Sequence, residues 1–167
     1  MRRRREGGGV LLETVMVAPV LLGLLVGMIS LGQIIYTYVA LEKIMYNLAR
    51  YVGTQQGVNF CDPNDPTVQA AENLAVFGNV DGTGNAIVGG LTTGMITLSV
   101  ERYSPASQTL GPCDCSVTGC DAGSGGLPPD FIVASLPNGY PIQPLFFGFR
   151  VDPILLKPHV RVPYGGT

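Results

Sequence analysis

The chain has 167 residues, enough for one domain with one modest core and not two. Only 13% of it is charged against 46% hydrophobic, and the deficit of charge falls in the N-terminal third, which points to a membrane segment rather than an unusual soluble core. Arg2–Arg5 hold four of the ten basic residues, and beyond Gly8 six basic residues face eleven acidic ones, so the body offers no clustered basic face for a nucleic acid.

In chain order, Arg2–Arg5 and Glu6 lead into Gly7-Gly8-Gly9 and then a long apolar run whose one carboxylate is Glu13. Under the positive-inside rule the arginines are a cytoplasmic retention signal. A secretory signal peptide places its small residues after the apolar core; here the glycines precede it, so ordinary signal-peptidase cleavage is not expected near the start. From Thr14 to Leu41 there are 28 residues without a charged side chain. As a helix they reach about 42 Å, more than the ~30 Å hydrocarbon core of a bilayer. Pro19, Gly23 and Gly27 would argue against a helix in water but are tolerated in a membrane, and Gly23-x3-Gly27 is a spacing that admits a neighbouring helix. After Leu31 the residues Ile34, Tyr38, Leu41, Met45, Leu48 and Val52 recur at steps of four and three, which predicts an amphipathic continuation with one face for a folded domain. Tyr36 and Tyr38 sit where an aromatic belt would mark the outer interface, and Gly53 is the expected C-terminal stop.

Gln55–Pro63 reads as a loop. Asp65-Pro66 supplies an N-cap and a first-turn proline for a helix to about Phe77, with Val68, Ala71, Leu74 and Ala75 on one side. The glycine-rich stretch 78–94 follows. Met95–Tyr103 alternates as a half-buried strand with Ile96, Leu98 and Val100 on one face. Residues 104–129 read as a stapled loop, Phe131–Leu136 as a second strand, Tyr140–Phe149 as an apolar connection broken by Pro141 and Pro144, and His159–Val162 as the third strand. The fold class is α+β: a long transmembrane and amphipathic helix, then a small head with one short helix and a roughly three-stranded antiparallel sheet.

All four cysteines, Cys61, Cys113, Cys115 and Cys120, follow the apolar run, and with the arginines retained in the cytoplasm they lie where disulfides persist. Cys113 and Cys115 are too close to pair comfortably. The expected pattern is Cys61 with Cys113 or Cys115, and Cys120 closing the local loop. A four-thiolate zinc site fits less well, because Cys61 stands alone and Cys113-x-Cys115 is tighter than a zinc knuckle. The lone His159 in a strand reads as structural, and no serine lies in a G-x-S-x-G turn. Asp62, Asn64 and Asp65 resemble a calcium loop faintly, but Pro63 and Pro66 spoil it. No catalytic residue, metal or cofactor is expected. Glu13 is the exception to this bland inventory: a carboxylate costs about 2.5–3.5 kcal/mol at mid-bilayer and less near the edge. Either it is tolerated at the interface beside a positive helix N-terminus, or it has a cationic partner on another chain.

Read as a unit, Arg2–Arg5, Gly8, Glu13 five residues on, Pro19 six residues further, then Gly32, Tyr36, Ala40-Leu41 and Ala49-Arg50-Tyr51 resemble a TadE-like protein. That family comprises minor pilins or pseudopilins of the tight-adherence (Flp-type) branch of type IV pili. The resemblance covers residues 2–53; in the tail, Phe131–Leu136, Tyr140–Pro144 and Val160–Tyr164 are similar in outline only. Thr14 and Ser30 depart from the family's usual aromatic or small apolar and acidic residues at those places.

The resemblance implies cleavage by a prepilin peptidase between Gly8 and Gly9, so that Glu13 becomes the fifth mature residue and the new amino group of Gly9 a cation for it. It divides the chain into a basic leader (1–8), a stalk helix (9–53) and an extracytoplasmic head (54–167). It implies a non-enzymatic, single-pass protein of the bacterial inner membrane, cytoplasmic at its N-terminus, whose partners are other pilins through the N-terminal helix, the prepilin peptidase and membrane lipid, with no nucleic acid. The rival expectation is an uncleaved, signal-anchored periplasmic binding or structural module outside any pilus.

Overall fold

A backbone in hydrocarbon has to satisfy its own hydrogen bonds, and the apolar run does so as a helix. In the computed structural model, which describes residues 7–62, 64–113, 120, 126–144 and 152–165, helix α1 runs unbroken from Gly7 to Gly53. Its 47 residues amount to about 70 Å at 1.5 Å per residue. Pro19 lies inside it without ending it. Two compact units share this helix: Met1–Tyr36 with Pro141–Ile154, and Thr37–Tyr140 with Leu155–Thr167.

Within the second unit, the C-terminal part of α1 supplies Leu41, Ile44, Met45, Leu48, Ala49 and Val52 to the core. Helix α2 spans Pro66–Phe77 between an Asp65 N-cap and Gly78, which takes the left-handed conformation at φ 76° and donates to Leu74 O at 2.9 Å. Its buried residues are Val68, Ala71, Ala75 and Val76. After a single 3-10 turn at Thr93–Met95 comes an antiparallel sheet in the order β2-β1-β3-β6, formed by β1 (Thr97–Ser104), β2 (Thr109–Pro112), β3 (Phe131–Ser135) and β6 (His159–Pro163). A separate two-stranded sheet pairs β4 (Tyr140–Ile142) with β5 (Ile154–Leu156).

The register sorts the large sheet into two faces. Val100, Ile132 and Val162 form one cross-strand row and Leu98, Ala134 and Val160 the next; five of these six are apolar side chains larger than a methyl group, and Ile132 and Ala134 are fully buried. The other face carries Thr97, Ser99, Glu101, His159 and Arg161. There the Arg161 guanidinium lies over the Phe131 ring, 5.8 Å from its centroid, and pairs with Glu101 at 2.7 Å. Half exposed, that pair adds at most about 1 kcal/mol.

Helix α1 ends against the apolar face. A Cβ built on Gly53 would stand 3.3 Å from Ile132 Cδ1 and 3.7 Å from Pro163 O. Gly53 O, an orphan carbonyl at the helix end, accepts from Gly165 N–H at 3.0 Å, while Thr54 N–H reaches Arg50 O at 3.2 Å and Tyr51 O at 3.3 Å. Beside this join Tyr164 donates from its N–H to Asp130 O (2.9 Å) and from its hydroxyl to Gln55 O (3.4 Å), and packs edge-on against Phe60 at 5.9 Å.

Four expectations change. The sheet has four strands, not three: β2 lies inside the stretch read as a stapled loop, short and closed by a proline that an edge strand tolerates. Tyr140–Ile142, read as connection, is strand β4. Tyr38 is 40% exposed rather than on the buried stripe, which runs through Ile44 and Ala49 as well as Leu41, Met45, Leu48 and Val52. Gly53 stays within the helix and is not left-handed; what it supplies is room for Ile132.

Gly139, whose N–H closes the turn onto Leu136 O at 3.0 Å, has φ +76°, and a Cβ there would come within 2.9 Å of Leu155 Cβ. Gly139→Ala therefore combines a left-handed strain with a clash and should destabilise the head by about 1–3 kcal/mol, read as a lower thermal midpoint of the detergent-solubilised protein.

Candidate functional site

The N-terminal part of α1 is the place where the sequence put its function. Gly8 and Gly9 lie in the first turns of the helix, and Gly9 has open space where a side chain would stand. Glu13 is exposed on the helix surface, one turn further on, and lines a shallow groove with Thr14, Val17, Ala18 and Leu21. Gly23 and Gly27 likewise have nothing within 4 Å of a would-be Cβ, so among the described residues neither is explained by close packing inside the chain. Exposed large hydrophobic residues surround them, among them Leu12 at 65%, Met16 at 71% and Met28 at 73%. A helix apolar all round and unburied needs a solvent other than water. From Leu11 on it is long and apolar enough to cross a membrane. The leader arginines Arg2–Arg5 lie outside the described residues.

The head carries the cysteines. Cys113 and Cys120 are disulfide-bonded with their Cα atoms 5.8 Å apart, which is the local closure expected of Cys120. Cys61 is disulfide-bonded too; Cys115 lies outside the described residues. The ends of this loop are stitched to β1: Cys113 N–H donates to Val100 O at 2.9 Å, Asp130 N–H to Glu101 O at 3.0 Å, and the Arg102 guanidinium to Leu127 O and Pro128 O. Asp130 also accepts from Tyr103 N–H at 2.6 Å.

The acidic cluster at 62–65 is turned toward backbone rather than toward an ion. Asp65 Oδ1 accepts from the N–H groups of Thr67 (2.8 Å) and Val68 (3.2 Å), and its Oδ2 from Asn59 N–H (3.0 Å). Asp62 accepts from Asn64 N–H at 2.8 Å. Burial alone would push the Asp65 carboxyl up; the three N–H groups outweigh it and hold the carboxyl below its ordinary value. Glu72, on α2, moves the other way, raised by burial. Among the described residues no group of three or more His, Cys, Asp or Glu side chains is placed to hold a metal ion. His159 stands exposed at an edge strand. A concavity of about 620 Å³ lies between α1 and α2 and is lined by Ile44, Leu48, Tyr51, Leu74 and Ile87 with Asn47 and Arg50 at hand. It brings together no pair of groups suited to nucleophilic or acid–base work. Sequence reading did not find this groove, because its walls come from two helices that the linear pattern treats separately.

Among the described residues, one apolar N-terminal helix of membrane-spanning length is joined to a small disulfide-bonded α+β head. Residues 8–50 are similar to the TadE-like proteins, whose family model they match. The match ends just before Gly53 and covers the glycines, Glu13, Pro19 and the buried stripe up to Ala49. Neither curated proteins nor solved structures give a match to the chain. TadE-like proteins are structural pilus components, and the matched segment together with the apolar helix fits a component of a tight-adherence pilus.

Asp65→Ala should cost the head about 1–2 kcal/mol through loss of the α2 cap. Because the folded carboxyl titrates below its unfolded value, the stabilisation is fully present above about pH 4 and is lost as pH falls through the folded value. The gap in thermal midpoint between wild type and Asp65→Ala should therefore close in acid and stay open at neutral pH.

Proposed function

We propose that the chain is a minor pilin-like component of the tight-adherence pilus machinery, made with a removable leader of residues 1–8. A membrane prepilin peptidase cuts between Gly8 and Gly9, leaving Glu13 as the fifth residue of the mature chain. Residues 9–53 then serve as membrane anchor and stalk, and residues 54–167 as a head outside the cytoplasm. The observation that carries this reading is the coincidence of the TadE-like match with a continuous helix on which Gly9, Glu13, Gly23 and the surrounding aliphatic residues are all left uncovered.

The chemistry is that of assembly. A carboxylate in an apolar helix is tolerated when a cation joins it, and cleavage creates one at the amino group of Gly9, on the same chain or a neighbour's. Gly23 and Gly27 let a second helix approach closely, where dispersion and lipid release favour association. Bending or loosening at Pro19 adjusts the helix as it leaves the bilayer. The head would contribute contacts with other pilus subunits, held in one shape outside the cytoplasm by its disulfides.

Mass spectrometry of the protein purified from membranes should find a mature chain beginning at Gly9, and recovery of an intact Arg2–Arg5 would contradict the proposal. Glu13→Ala should insert into the membrane normally yet impair piliation; normal pili on that variant would remove the role given to Glu13.

A further inference from the structure

The groove between α1 and α2 has an apolar floor and a cation on its rim. Ala71 and Ala75, one turn apart on α2, form the far wall with Leu74, and their small side chains leave room for another helix. On α1 the rim carries Asn47, Arg50 and Thr54, and from Ile44 to Thr54 it extends about 15 Å. Arg50 is exposed, and among the described residues its guanidinium has no hydrogen bond or ion pair. Lower on the same helix Val39 (54% exposed), Glu42 and Tyr46 (45%) make a second uncovered row at i, i+3 and i+7. Glu42 is likewise unpaired among the described residues. This row is apolar at its ends and anionic in the middle, the complement of the groove.

Resting on the membrane-anchored reading above, we propose that the groove takes the Val39–Tyr46 stretch of a second copy of this chain, with that copy's Glu42 paired to Arg50. A carboxylate is the complement of the unpaired guanidinium, and Val39 and Tyr46 are the apolar anchors on either side of it. Two copies anchored in one bilayer run parallel, so the register is set by height. Val39 is eight residues from Asn47, Glu42 eight from Arg50, and Tyr46 eight from Thr54. One copy therefore stands about 12 Å above the other. The uncharged run from Thr14 to Leu41 reaches about 42 Å against ~30 Å of hydrocarbon, an excess of the same size. The step thus brings no charged side chain into the hydrocarbon. A contact between unlike faces that also climbs along the axis cannot close into a ring. One such step takes up the whole excess, so a pair of copies is the species expected in a bilayer.

The test uses full-length protein carrying photoreactive p-benzoylphenylalanine in place of Tyr46, reconstituted at low density in phosphatidylcholine vesicles and irradiated. The otherwise unchanged chain should give a cross-linked dimer whose adducts map to the peptide holding Ala71–Ala75. Glu42→Arg alone and Arg50→Glu alone should each lower the dimer yield about tenfold, because like charges then meet in the groove. An equal mixture of the two variants should restore the dimer, since the introduced arginine of one faces the introduced glutamate of the other; that rescue also shows both variants folded. Variants that cross-link alone as well as the unchanged chain does would overturn the inference, and this is the outcome if the copies associate through Gly23 and Gly27 only. Loss in both variants without rescue in the mixture overturns it too, as do adducts that avoid α2. An unchanged chain that enters the vesicles but stays monomeric removes the groove's occupant and leaves the membrane-anchored reading standing. A chain that does not enter the vesicles removes both.

Discussion

The structure depends on one helix having two solvents. Over its N-terminal part, α1 leaves most of its apolar side chains exposed, with Ser30 buried among them; over its C-terminal part, it buries Leu41, Met45, Leu48, Ala49 and Val52 and exposes Glu42, Lys43, Asn47 and Arg50. Each such aliphatic side chain contributes about 1.5–3 kcal/mol when removed from water. The head's core is built on that stripe. Without it, a body of roughly a hundred residues with a four-stranded sheet and one three-turn helix would lack a second layer over the sheet's apolar rows.

The change of solvent is written in the side chains. Between Thr14 and Leu41 nothing is charged; from Glu42 onward charged and amide residues return on one side only. The aromatic residues Tyr36 and Tyr38 fall at the change, exposed, as amphipathic rings do at an interface. Glu13 marks the opposite end, where a helix N-terminus offers positive potential to a carboxylate. A Cβ at Gly9, Gly23, Gly27 or Gly32 would meet nothing within 4 Å, so these glycines leave room beside the helix that no described residue fills.

Much of this was legible in the sequence because it is periodic or chemically punctuated. The Asp65-Pro66 pair announced α2 to the residue, since capping and a first-turn proline are local effects. Strands β1, β3 and β6 were readable from alternation. Strand β2 was not: Thr109–Pro112 is too short for alternation to register, and the turn at 105–108 that pairs it with Glu101–Ser104 has no glycine to announce a hairpin. Strands β4 and β5, of three residues each, are likewise too short to show a period. Gly53 shows a subtler limit. Its place at a helix end suggested a left-handed cap, whereas its reason is the nearness of Ile132, about eighty residues away, and the carbonyl is capped by Gly165 instead. Likewise the groove between α1 and α2 and the burial of Ser30 belong to tertiary structure.

The bond from Gly165 N–H to Gly53 O joins positions 112 residues apart. A chain delivered at 5–20 residues per second presents its helix end on the order of ten seconds before the strand that completes it. During that interval the stripe from Leu41 to Val52 stands without the sheet that completes its core. Such long-range closure is slow compared with helix formation, and the nascent segment is sticky while it waits. The order of synthesis thus leaves the head's most apolar surface made first and covered last.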